Sequence, residues 1–162
     1  MDKPINLTKK AVGDGMLRLS ECGTHITNGH WACRRELLKQ APLLSTVEAV
    51  QAMFPRASVQ TVPADSVNSV VPYYRQPVTY TRTHWVQTCG NSGDDAVLFT
   101  GGEDNKSQVW IDRKYVDLFD LDTLTGEECS GDTTIDALMV GTRDDWQILV
   151  MPKRLYYQEG LR

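Results

Sequence analysis

The chain has 162 residues, of which 41% are hydrophobic and 23% charged, and its formal net charge is −4. These proportions fit one folded domain with a single core and room for one long insertion, and they exclude a disordered polymer. No run of about 18 apolar residues exists to span a bilayer, and the negative balance argues against a protein that simply coats DNA.

The charge is unevenly placed. Residues 1–60 carry eight Lys or Arg against five acids, a balance of +3, whereas residues 61–162 carry nine against sixteen, a balance of −7. One basic face on an acidic protein can still meet phosphate. Met1 to Leu7 contains no apolar stretch of signal-peptide length, so the expected location is cytoplasmic. The cysteines at positions 22, 33, 89 and 129 are too few and too scattered for a disulfide framework and read as free thiols.

Residues 15–38 read as a β-hairpin. Met16–Leu19 and Gly23–Thr27 are extended runs, Asn28-Gly29 supplies two positive-φ positions for a tight turn, and His30–Cys33 returns. With that pair at the turn, Thr27 faces His30, His25 faces Ala32, and Thr24 faces Cys33. The motif Cys22-x-x-His25…His30-x-x-Cys33 has zinc-ligand residue types. However, alternation puts the two histidines on one face and the two cysteines on the other. Structural zinc is not expected, and no other metal or cofactor is called for.

Residues 39–108 read as an insertion or unassigned region. Ser45 and Glu48 have capping-box spacing, Val47, Val50 and Phe54 share a helical face, and Pro55 stops the helix. Val59, Val62, Val67, Val70 and Val71 follow, with Pro63 and Pro72 among them. Val78–Val86 alternates like a strand and Ala96–Thr100 is a second, while the polar stretches 87–95 and 101–108 read as exposed turns.

Residues 109–155 are clearer. Val109–Ile111 is a predicted strand, and Asp112 caps a helix with Tyr115, Leu118 and Phe119 on one face. An acidic loop over 122–132 leads to a strand at Thr134–Val140. Arg143-Asp144-Asp145 then turns the chain into Trp146–Met151, ended by Pro152. The expected fold is α+β over residues 1–162 as a single domain: an antiparallel sheet with two short helices on one face. The four tryptophans all fall on predicted strands, and any left outside the core is an interface candidate.

Two pieces resemble the bacterial DNA sliding clamp, the processivity factor of replicative polymerases. Ile111-Asp112-Arg113-Lys114-Tyr115-Val116 and Val150-Met151-Pro152-Lys153-Arg154-Leu155 are similar to the strand-to-helix and closing signatures of its last half-domain. Thr27-Asn28-Gly29-His30-Trp31-Ala32 is similar to its Thr-Asp-Gly-His-Arg-Leu segment. The likeness covers about 70 of the 162 residues, and the chain has length for one of the family's three domains. A single-domain version suits a phage or mobile element acting in the host cytoplasm. Lys153 stands where the family has a second methionine, and Tyr156 to Arg162 runs past the usual end.

The resemblance implies a self-associating protein that contacts DNA or the replication machinery. Its candidate phosphate contacts are Arg34, Arg35 and Lys39 after the hairpin, Arg56, and Arg113 and Lys114 at the helix start. Met151, Pro152, Lys153, Arg154 and Leu155 are the candidate groove residues for a partner peptide. The competing expectation is a small phage-type protein that binds and inhibits a host replication or defence protein, its acidic part imitating nucleic acid. Catalysis is not expected. Cys89 and His84 fall on opposite faces of a continued strand, no nucleophile or nucleotide motif is present, and Asp94-Asp95, Glu127-Glu128 and Asp144-Asp145 sit in turn-like contexts.

Overall fold

The computed structural model describes residues 16–21, 25–34, 47–53, 55, 58–63, 66, 68–88, 95–129 and 136–153. In chain order the elements are β1 (Met16–Ser20), β2 (His25–Thr27), β3 (Trp31–Arg34), α1 (Val47–Met53), β4 (Ser58–Val62) and β5 (Pro77–Thr88). They continue with β6 (Asp95–Gly101), a 3-10 turn (Glu103–Asn105), β7 (Ser107–Asp112), α2 (Arg113–Phe119), β8 (Thr123–Glu127), β9 (Leu138–Gly141) and β10 (Trp146–Val150). Among the described residues the ten strands form one sheet, ordered β4-β1-β2-β3-β10-β9-β8-β5-β6-β7.

The sheet is mixed rather than antiparallel throughout. β4 pairs with β1 in parallel, with Leu17 opposite Val59 and Leu19 opposite Thr61. A parallel neighbour needs a crossover instead of a tight turn. The chain between β3 and β4 contains α1 and supplies that crossover.

Several predicted elements are present with altered limits. β5 and β6 lie where the alternating runs at 78–86 and 96–100 place strands. α1 matches the helix expected after the capping box, although Ser45 itself lies outside the described residues. The predicted acidic loop at 122–132 contains β8, a strand whose alternation shows only in Leu124 and Gly126 facing inward. Gly126 is small because a Cβ there would come within 2.9 Å of the Tyr80 ring and 3.1 Å of Leu138. Of the strand expected at Thr134–Val140, β9 begins at Leu138, and residues 131–135 lie outside the described set.

The hairpin forms in a different register. Thr27 stands opposite Ala32, Ile26 opposite Cys33 and His25 opposite Arg34. Gly29 has φ 93 and Asn28 has no positive φ, so the turn centres on Gly29-His30 instead of Asn28-Gly29. The cause is the Asn28 side chain, whose Oδ1 accepts from the backbone N–H of His30 (2.9 Å) and of Trp31 (3.1 Å). The shift is by two residues, so the faces are kept. His25 lies on one side and Cys33 is fully buried on the other, while Cys22 lies outside the described residues. Cys33 and Cys129 are free and buried; Cys89 also falls outside.

The main core lies on one face. Leu17, Leu19, Ile26, Trp31 and Cys33 from the first three strands meet Phe99, Ile111, Leu124, Leu138, Ile148 and Val150. Val50 of α1 and Tyr115, Val116 and Leu118 of α2 join the same cluster, so both helices cover this face. Each such side chain, fully buried, contributes about 1.5–3 kcal/mol. Trp31 and Phe119 meet edge to face at 5.6 Å, linking α2 to the hairpin. Beyond β10, the Lys153 N–H donates to the Trp110 carbonyl of β7 at 2.7 Å. β7 is the last strand of the order, so the sheet curls back over its own core.

A smaller cluster occupies the opposite face: Ala32, Met139, Trp146 and Leu149, with Val62, Val71, Tyr74 and Ala137 against it. Trp146 reaches that face because β10 is irregular between Trp146 and Ile148 where it pairs with β9. The extra residue reverses the side-chain alternation.

Asp112 has two roles at the start of α2. Its Oδ1 accepts from the Lys114 backbone N–H at 3.2 Å, and its Oδ2 pairs with Lys153 Nζ at 3.2 Å. Asp112→Ala is expected to lower unfolding stability by about 2 kcal/mol, within the usual range for losing an N-cap. Asp112→Asn keeps a capping oxygen and should cost less than half as much. Urea unfolding midpoints of the two variants check this; equal losses would assign the effect to the Lys153 pair instead of the cap.

Candidate binding groove

The sheet register builds a site on the face away from the helices. Arg18 stands opposite Thr27, Thr27 opposite Ala32, and Ala32 opposite Leu149, a single side-chain row across β1, β2, β3 and β10. Adjacent strands are about 4.8 Å apart, so the row spans roughly 14 Å. Its two middle members are small, which leaves a trough between the long side chains at its ends.

Two walls deepen the trough. One comes from the end of β4 and the chain after it, where Val62, Ser66 and Val70 line it. Hydrogen bonds hold this wall: Ser66 N–H to the Pro63 carbonyl (3.0 Å), Ser69 Oγ to the Ser66 carbonyl (2.9 Å), and Trp146 Nε1 to Asn68 Oδ1 (3.3 Å). The Tyr74 hydroxyl, donating to the Ala137 carbonyl, fastens the chain after it. The other wall is the hairpin turn, Gly29 and His30, with Met151 beside it. The Met151 N–H donates to the His30 carbonyl at 2.9 Å, which fixes the two together. The resulting groove has a volume of about 490 Å³, inside the range of ligand clefts.

Its lining is mostly apolar. Arg18 and His30 are the basic members, and no carboxylate lines it among the described residues. Arg18 is exposed and makes no ion pair with any described residue. Next to the groove on the same face, His25 stacks on Trp146 with ring centroids 4.6 Å apart. Arg34 pairs with Asp145. Burial, and secondarily the Arg34 charge, hold the His25 imidazole below its ordinary value of 6.5.

Of the residues singled out as phosphate contacts, the three that the structure describes are already paired. Arg34 meets Asp145; Arg113 meets Asp95 at 3.2 Å and Asp117 at 3.8 Å; Lys114 meets Asp112 at 3.7 Å and lies 5.4 Å from the Tyr115 ring centre. Arg35, Lys39 and Arg56 lie outside the described residues. Of the expected partner-groove residues, Met151 lines the groove and is 37% exposed. Pro152 does not line it. Lys153 is turned towards Asp112 and Trp110 at the other end of the sheet. Arg154 and Leu155 lie outside the described residues.

Sequence reasoning missed Arg18, Ala32, Leu149, Val62 and Val70. A period-2 pattern does mark Arg18 as facing away from Leu17 and Leu19. Nothing local, however, brings it into line with Ala32 and Leu149. Among the tryptophans, Trp31 and Trp146 are buried, while Trp85 is 71% exposed. It is extruded where Thr83, His84 and Trp85 together face the single residue Leu98 of β6.

Among the described residues no three His, Cys, Asp or Glu side chains converge to hold a metal, and no helix is long and apolar enough to cross a membrane. No family model, curated protein or solved structure matches the chain.

The His25 environment gives a signed prediction. Its native value is depressed, so the unfolded chain takes up the proton first as pH falls. The stability this group supports is complete above pH 6.5 and declines as pH drops through that value towards the lowered native one. The thermal midpoint should therefore fall more steeply between about pH 7 and pH 5 in the parent than in His25→Gln. Parallel profiles would contradict the assignment.

Proposed function

We propose that the chain is a non-catalytic binding protein whose groove, on the sheet face opposite the helices, takes up a short segment of a protein partner. The observation that carries this reading is the Arg18–Thr27–Ala32–Leu149 row, a trough walled on both sides by hydrogen-bonded chain. A preformed, largely apolar concavity lets an extended segment bury side chains without first reorganising its receptor. Phosphate binding through Arg34, Arg113 or Lys114 would instead have to displace a carboxylate from each.

The test is binding of peptides selected from a random short-peptide library against the parent protein. Val70→Asp and Met151→Asp each put a charge on the apolar rim at an exposed position. Both should weaken binding at least tenfold, about 1.4 kcal/mol, with an unchanged thermal midpoint. Peptide binding unaffected by either substitution would remove the groove from the account.

One observation favours a second reading, a clamp-like protein. β7 and the closing strands lie in one sheet with the early hairpin, β10 pairing directly with β3, and α2 packs into the core on one face of that sheet. That reading requires self-association, since a ring needs several copies of so short a chain. It predicts a solution mass that is a multiple of 18.2 kDa. It also predicts DNA retention at low salt that falls with added salt and with loss of Arg113 and Lys114. A strict monomer without DNA retention would end it.

A further inference from the structure

We infer that the segment taken up by the groove is acidic as well as apolar: a large apolar side chain seated over Ala32, with a carboxylate about three residues away held by Arg18. This rests on the groove reading above. In a chain of net charge −4, the groove is lined by a guanidinium and an imidazole and by no carboxylate among the described residues. Arg34, Arg113 and Lys114 each have an acidic partner, whereas Arg18 has none among the described residues. An exposed guanidinium at the end of an apolar trough can hold a carboxylate through paired, charge-assisted hydrogen bonds.

The spacing follows from the register. Ala32 and Arg18 are two strands apart in the row, roughly 10 Å at the usual strand separation; a peptide in the polyproline II form advances about 3.1 Å per residue and returns its side chains to the same face every third residue. The apolar anchor lies between Leu149 and Val70 at one end, and the acid meets Arg18 at the other. Nucleic acid is a poor fit, because Val62, Val70, Ala32, Leu149 and Met151 offer its backbone no donors. A fatty acid would leave much of its chain in water along this half-open trough.

The probes are the capped peptides Ac-Asp-Ser-Gly-Phe-NH2 and Ac-Phe-Gly-Ser-Asp-NH2, their Asn counterparts, and decanoate, titrated into the full chain and followed by NMR amide shifts. We expect one of the Asp peptides to shift the amides of Thr27, Ala32 and Leu149 and to bind at least tenfold tighter than its Asn form. Arg18→Gln should abolish that preference, so that the Asp and Asn forms bind the variant equally. Equal binding of the Asp and Asn forms, still lost in Met151→Asp, would overturn the acidic specificity and leave the groove reading standing. No groove shift with any peptide would overturn both, and groove shifts with decanoate alone would replace them with a fatty-acid site.

Discussion

The antiparallel pairing of β3 with β10 is the contact on which the rest of the structure depends. Cys33 opposite Ile148, Ala32 opposite Leu149 and Trp31 opposite Val150 join the early hairpin to the end of the chain. Each residue pair serves one side of the sheet. Trp31, Cys33, Ile148 and Val150 enter the main core under the helices. Ala32 and Leu149 face the other way, Ala32 on the floor of the groove and Leu149 at one end of it. The register that packs the core therefore also sets the spacing of the groove. A slip of one residue would exchange the two sets.

The two sides differ in how they are covered. On the helical side, large side chains from nearly every strand interlock, and the curl of the sheet closes β7 against the end of β10. On the other side the cover is Val62, Val71 and Tyr74, with Asn68 bonded to Trp146 and Tyr74 to Ala137. The groove lies between this cover and the Gly29-His30 turn. Peptide backbone held by side-chain hydrogen bonds, above small floor residues, makes a wall that is fixed but shallow.

Local signals in the sequence were legible where they act within one element. Asp112 marks the start of α2, the alternation at 78–86 and 96–100 marks β5 and β6, and the Asn28-Gly29 pair marks a hairpin. Features that depend on distant partners were not. The hairpin register turns on whether Asn28 uses its backbone or its side chain, which composition does not reveal. β8 carries one apolar residue, Leu124, and exists because β5 and Tyr80 offer it an edge and a lid. The parallel strand β4 needed the crossover through α1. The groove draws on positions 18, 27, 29–32, 62, 66, 70, 137 and 149–151, and only the sheet order makes them neighbours. Met151 was singled out through the closing segment of the chain, and Arg18 through nothing beyond its face.

The most direct test of this account is a methyl NOESY spectrum of the protein. The β3–β10 register predicts cross-peaks from the Ala32 methyl to the Leu149 methyls and to the Thr27 methyl, with none to Phe99 or Ile111 across the sheet. Cross-peaks from Ala32 into the Phe99 and Ile111 side chains, or none to Leu149, would mean that the hairpin and the final strand do not meet this way and that the groove does not form.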